Sequence, residues 1–269
     1  MSSVNLLNSA LYNNNYLFNT NNQKQNSINQ LWNAYGNFQN NATSSLAGLT
    51  EVNTNLKSVL ASYDDAKTAF SSEFKETMSD LSSSAAKVKE YNFKVDSAEA
   101  ITTKTETDKD GNVTTTTTYN KEMQAALDTV KNFVNDYNGA VKFFNDNSSI
   151  SKRVEMIATT FGDTTYRASA YSSIGLLTNS DGSLSINEAK LADTILNDPE
   201  KVSSILGKDG LAGKAESHIS FANSQADKLF PTAQEMLGDQ INTASVYTGK
   251  AYRNMAAYSN MGNLINMMF

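Results

Sequence analysis

The twelve residues from Leu177 to Glu188 read LTNSDGSLSINE and carry much of a calcium-binding loop. With Gly182 at the sharp central turn, Asn179 and Asp181 fall at the third and fifth positions. Leu184 then takes the apolar eighth position, and Glu188 the twelfth, where a bidentate carboxylate completes the oxygen cage. The first position falls on Leu177, whose side chain has no oxygen, so the loop lacks its usual first ligand and one negative charge. A structural reading uses every residue instead. Ser180-Asp181-Gly182-Ser183 is a turn in which Gly supplies a positive φ. Leu176-Leu177 and Leu184–Ile186 are short strands on either side. Asn187 or Ser185 caps a helix over 188–196, and Asp198 caps the next turn with Pro199 at its first position. Val202, Ile205 and Leu206 form the apolar face of that turn.

Other residue types with chemical potential lack partners in the sequence. His218 is the single histidine, so no second imidazole is available for a metal pair or a base relay. There is no cysteine, which excludes thiolate chemistry and disulfides. Asp64-Asp65 and Glu73/Glu76 lie beside Lys67 and Lys75 and read as charges on a solvated helix face. Gly207, Gly210 and Gly213 lack the strand-to-helix setting and the Lys-Ser/Thr ending of a phosphate loop. Phe18, Trp32, Tyr35 and Phe38 can stack on a ligand, but packing is the commoner use of such rings. The five threonines Thr114–Thr118 read as plain strand in preference to glycan acceptors. The expectation is a protein that is not an enzyme, with no catalytic residues, no cofactor and no metal site.

The elements that must position these residues are mostly long helices. Leu46, Leu60, Phe74, Leu81, Val88 and Val95 share one seven-residue register. Leu49, Leu56, Tyr63, Phe70 and Tyr91 fall three residues later in it, and Asn53, Lys67, Thr77 and Ser84 interrupt the seam. That spacing predicts a coiled-coil helix over 46–95, which needs a partner to cover its stripe. Next, ITTKTETDKDGNVTTTTTY predicts an exposed hairpin over 101–119, with β-branched strands around Asp110-Gly111. From Lys121 the helical period returns through Met123, Leu127, Val130, Val134, Tyr137, Val141 and Phe144, an antiparallel mate for the first rod. Two short helices are expected around 154–161 and 166–174. A further pattern runs Ala215, Ile219, Ala222, Ala226, Leu229, Ala233, Met236, with Pro231 either kinking that helix or starting another. Ile241, Thr248, Tyr252, Met255, Tyr258, Gly262 and Ile265 mark a last helix.

The fold expected is therefore mainly α: a long antiparallel helical coiled-coil rod with a Thr-rich β-hairpin and a small β-turn/helix element. Residues 1–45 form an uncharged-looking, Asn-rich N-terminal arm in which Lys24 is the one charged side chain. Residues 46–239 form the helical rod domain, with the hairpin at 101–119 and the turn-helix element at 172–206. Residues 240–269 form a C-terminal assembly helix. Leu6, Leu7, Leu11, Tyr16 and Phe18 are too apolar for a simple polar tail. Tyr258, Leu264, Ile265, Met268 and Phe269 make the other end equally costly to leave in water, so both sets are expected to contact partner subunits. The net charge of −6 speaks against nucleic acid or an anionic membrane as partner. No apolar run is long enough to cross a bilayer. The first thirty residues do not read as a secretory signal peptide.

The stretch SSIGLLTNSDGSLSINEAKLADTILNDPEKVSSILGKDGLAGK resembles the C-terminal region of the flagellar hook-associated protein 2 family, the filament cap proteins. The resemblance rests on Ile174, Gly175, Gly182, Ser183, Leu184, Asn187, Leu191, Asp198, Pro199, Val202, Gly210 and Gly213 in order. Upstream, VKNFVNDYNGAVKFF is similar to the helix that leads into this region in the family. The Gly- and Asp-rich opening motif of the family is not found in MSSVNLLNSALYNNNYLF. The hairpin at 101–119 stands where the family carries bulky β-rich domains, so the resemblance implies a reduced member. It further implies an extracellular structural subunit of the bacterial flagellum, exported unfolded through the flagellar type III channel. Such a subunit self-assembles at the filament tip and aids flagellin polymerisation without covalent chemistry. Its implied partners are copies of itself, flagellin, hook-associated junction proteins and an export chaperone. Two alternatives stand beside it: another axial filament component, or a secreted adhesin presenting the Thr-rich hairpin.

Overall fold

The computed structural model describes residues 30–31, 33–34, 49–96, 99–107, 113–162, 164 and 167–235. These are mostly helical, with two small antiparallel sheets. In chain order the elements are α1 (Leu49–Glu90), β1 (Ile101–Thr107), β2 (Val113–Tyr119), α2 (Lys121–Asp146), α3 (Lys152–Phe161) and α4 (Ala168–Ser173). They continue with β3 (Leu176–Thr178), β4 (Leu184–Ile186), α5 (Glu188–Asn197), α6 (Pro199–Leu206) and α7 (Leu211–Ser224), followed by a 3-10 turn at Ala226–Lys228. The residues proposed for subunit contacts, from Leu6 to Phe18 and from Tyr258 to Phe269, lie outside those described. So does the Asp110-Gly111 turn of the hairpin.

The chain divides into two compact units. One comprises residues 1–75, 149–153 and 226–269; the other comprises 76–148 and 154–225. In the first, Tyr63 and Phe70 of α1 pack on Phe230, with ring centroids 5.5 Å apart in each case. The Tyr63 hydroxyl donates to the Pro231 carbonyl at 2.8 Å, and the Ser151 hydroxyl donates to that of Leu229 at 2.6 Å. Leu31 is fully buried.

Helix α1 is described over 42 residues and ends at Glu90, short of the Val95 expected. Its buried apolar positions run Val59, Leu60, Tyr63, Ala66, Phe70, Phe74, Met78, Leu81, Ala85 and Val88. Leu60, Tyr63, Phe70, Phe74, Leu81 and Val88 fall on the seven-residue register, and Ala66, Met78 and Ala85 widen the stripe beyond a strict two-position seam. The stripe steps onto Ala66 and Met78, leaving Lys67 exposed and Thr77 half-buried. Ser84 is buried on the stripe, its hydroxyl returned to the Leu81 carbonyl at 3.2 Å. The helix ends before Tyr91 and Val95, and Phe93 is the side chain that turns into the core beyond it.

In the second unit, α2 is the central element. All seven apolar residues assigned to it by period are buried, joined by Ala126, Phe133, Ala140 and Phe143. The Asn120 side chain caps it by accepting from the Met123 amide at 2.8 Å. Against α2 lie β2, β4 and α5; α5 packs on α6, and α6 on α7. Phe161 of α3 closes the layer. It stacks on Phe144 at 5.0 Å, lies near Tyr137 and meets His218 of α7 edge-on at 5.2 Å. Fully burying a Phe contributes about 1.5–3 kcal/mol. The half-exposed pairs Lys131–Glu188 and Lys89–Glu216, each 2.7 Å, contribute about 0–1 kcal/mol, so packing holds these helices together.

The apolar pattern from Ala215 to Met236, kinked or restarted at Pro231 in expectation, breaks earlier, where α7 stops at Ser224. Ala226 is exposed, and Leu229 and Phe230 are both buried. Thr232 and Glu235 then exchange backbone and side-chain hydrogen bonds in a capping box at 2.8–3.2 Å. A new helical segment thus opens just after Pro231.

Candidate functional site

The residues singled out between Ile174 and Val202 form one continuous element against α2. Ile174, Leu176, Leu184, Leu191 and Val202 are all buried. β3 and β4 pair Leu176 with Ile186, Leu177 with Ser185 and Thr178 with Leu184. Asn187 is the cap of α5, accepting from the Lys190 amide at 3.0 Å; the choice between Asn187 and Ser185 falls to Asn187. Asp198 accepts from the Lys201 amide at 3.1 Å, with Pro199 opening α6. Val202 and Leu206 are the buried face of α6, and Ile205 is half-buried.

Two glycines make this element possible. Gly175 has φ +91°, and a Cβ there would fall 2.7 Å from the Leu191 amide nitrogen and 2.8 Å from the Asn187 carbonyl oxygen. Its carbonyl accepts from the Asn187 amide at 2.7 Å, so the strand enters directly beneath the start of α5. Gly182 has φ +86°, and a Cβ there would fall 2.5 Å from the Gly162 carbonyl oxygen. The turn is thereby pressed onto the end of α3. Only a residue without a side chain fits both the left-handed backbone and the close approach.

The turn uses the polar atoms that a calcium loop would need. The Asp181 carboxylate accepts from the Ser183 hydroxyl at 2.6 Å and from its amide at 3.0 Å. These bonds hold the Asp181 carboxyl below its ordinary range, the hydroxyl contributing most. The Asn179 side chain donates to Ser183 Oγ at 2.9 Å and accepts from Ser185 Oγ at 3.0 Å. Leu177, at the first loop position, points to solvent, 49% exposed. The Glu188 carboxylate pairs with Lys131 of α2.

Three residues that hold the element were not identified by period or motif. Asn138 of α2 acts as a strand: its amide donates to the Leu184 carbonyl, and its oxygen accepts from the Leu184 amide, both at 2.8 Å. Asn145 donates to the Asp181 carbonyl at 3.3 Å. Thr164, buried, donates to the Gly182 carbonyl at 3.1 Å. The signal for Asn138 was present: it lies four residues after Val134 and three before Val141, on the apolar stripe.

His218 lines an open depression with Thr159, Thr160, Gly162 and Lys214. The two threonine hydroxyls there are returned to the Glu155 and Met156 carbonyls at 3.1 and 2.9 Å. Among the described residues, no cluster of three or more His, Asp or Glu can hold a metal, and no helix is long and apolar enough to cross a membrane. The arrangement is a scaffold of caps, glycine contacts and strand-like side-chain bonds, suited to presenting a surface.

The family model described as flagellar hook-associated protein 2 C-terminus matches residues 153–263. That span takes in the whole element from β3 to α7. Comparison with curated proteins and with solved structures found no match.

Proposed function

We propose, from the match of residues 153–263 to the flagellar hook-associated protein 2 C-terminus, that this chain is a member of that family and a cap-like subunit of the flagellar filament tip. The observation that carries the reading is the family match over an element whose defining positions do structural work. Gly175 and Gly182 allow backbone contact, Asn187 and Asp198 cap helices, and Leu191 and Val202 are core. In this reading copies of the chain assemble through helical arms, with the Asn-rich arm 1–45 and the C-terminal segment 240–269 making contacts. Leu6, Leu7, Leu11, Tyr16 and Phe18 at one end and Tyr258, Leu264, Ile265, Met268 and Phe269 at the other make the contacts. The assembly meets flagellin and the hook-associated junction proteins, and an export chaperone holds the chain before secretion. Its action is steric: it retains and guides flagellin subunits, and no bond is made or broken.

A second reading, a secreted adhesin or other axial component, rests on the exposed Thr surface of β1 and β2. Deleting the gene separates the two. The cap reading expects unpolymerised flagellin in the medium. Full-length chain restores filaments; a chain lacking 1–45 and 240–269 does not, although it keeps its helical fold. Filaments of normal length without the protein would overturn the cap reading.

A further inference from the structure

The hairpin formed by β1 and β2 is a two-stranded sheet with described side chains exposed on both faces. Thr102–Glu106 and Thr115–Thr118 are all exposed, and Val113 is 63% exposed. A two-stranded ladder alone is marginal in water, and three or more strands are needed for independent stability. Its edges carry no proline or bulge, the usual devices against further pairing.

Which backbone groups are open follows from the register. β1 pairs with β2 from Ile101 opposite Tyr119 to Thr107 opposite Val113. One step before, the Asn120 amide donates to the Ala100 carbonyl at 3.1 Å, marking a hydrogen-bonded pair. Alternation makes Thr102/Thr118, Lys104/Thr116 and Glu106/Thr114 the bonded pairs within the hairpin. The amides and carbonyls of Ile101, Thr103, Thr105 and Thr107 therefore point away from β2, along an edge that no described strand covers.

We propose that this edge pairs with the same edge of a second copy of the chain, antiparallel and centred on Thr105. In that register Thr105 faces its own copy in a bonded pair, and Thr103 faces Thr107 of the second copy. Lys104 then faces Glu106 of the second copy, and Glu106 faces its Lys104. Both fall in non-bonded pairs, where side chains approach most closely. Sliding by one allowed step in either direction sets Lys104 against Lys104 or Glu106 against Glu106, which like charge opposes. An edge lysine ordinarily repels strands, and here its complement sits two residues away on the same strand. The result is a four-stranded sheet ordered β2, β1, β1, β2 across a two-fold axis. This contact stands independently of the flagellar reading, because it needs only the hairpin.

The absence of cysteine gives a clean background for the test. Thr105→Cys in the full-length chain places two thiols in a pair whose Cα atoms are about 5.5 Å apart, within disulfide reach. Thr117→Cys, on the other strand, is the control. Under mild oxidation Thr105→Cys is expected to form covalent dimer at least about tenfold faster than the control, at unchanged helical circular dichroism. Adding Lys104→Glu sets carboxylates against each other at both pairs and slows the cross-link about tenfold. Adding Glu106→Lys as well restores it. Equal rates for Thr105→Cys and Thr117→Cys would overturn the edge contact. Indifference to Lys104→Glu, or no rescue by the double exchange, would overturn the register.

Discussion

Replacing Asn138 with alanine removes the one side chain that pairs with both backbone groups of Leu184. Leu184 is 2% exposed, so its amide and carbonyl have little access to replacement water. An unsatisfied buried backbone group costs about 1–3 kcal/mol. Asn138 is only part-buried, so the lower half of that range applies to each group, and the pair sums to about 2–4 kcal/mol. Asn138→Asp separates the two bonds. Its carboxylate still accepts from the Leu184 amide but faces the carbonyl with a second acceptor. It is therefore destabilising at neutral pH, and its folded-state pKa is raised. The deficit shrinks as pH falls through that raised value, because the protonated carboxyl donates as the amide did. Urea unfolding followed by circular dichroism measures both effects. With a slope of about 1–3 kcal/mol per molar, Asn138→Ala is expected to lower the midpoint by about 1 M or more at unchanged slope. A loss under about 0.5 kcal/mol, or an aspartate variant indifferent to pH, would refute the assignment of Asn138 as a strand surrogate.

Gly182→Ala combines a left-handed backbone with a collision against Gly162 and is expected to cost about 3 kcal/mol or more. In the same denaturation assay Gly139→Ala, on α2 with nothing within 4 Å of the added carbon, is expected to be neutral or stabilising by up to about 1 kcal/mol. The Tyr63 phenol is pushed up to about 12 by burial first, then by the Asp64 and Glu235 carboxylates. The unfolded phenol ionises near 10. Stability from this group is therefore complete below pH 10 and lost between 10 and 12. Phenolate absorbance should show a late-titrating phase that is reduced in Tyr63→Phe.

Period and punctuation made much of this fold legible. The seven apolar residues of α2 repeat without interruption, and the Asn187 and Asp198-Pro199 caps sit at the starts of helices whose polar and apolar faces agree. The strands flanking Gly182 and the hairpin strands of 101–119 follow from β-branched residues around turn residues. On α1 the heptad residues Leu60, Tyr63, Phe70, Phe74, Leu81 and Val88 are buried, and the stripe is wider than large residues alone suggest because Ala66 and Ala85 are small enough to be overlooked as core. The end of α7 was hidden because Leu229 and Phe230 still fit an apolar count. Only the partners of Phe230, Tyr63 and Phe70, show that the chain must leave the helix there. Asn138 was missed for a different reason. A pattern of polar and apolar residues assigns an amide to the surface, while its two hydrogen bonds to Leu184 are non-local by 46 residues.

The central claim is that this chain sits at the tip of a flagellar filament. Immunogold electron microscopy of the producing cells, with an antibody raised against residues 120–210, tests it most directly. Gold confined to filament tips is the expected outcome. Gold along the shaft, or none on filaments while the protein accumulates in the medium, would contradict it.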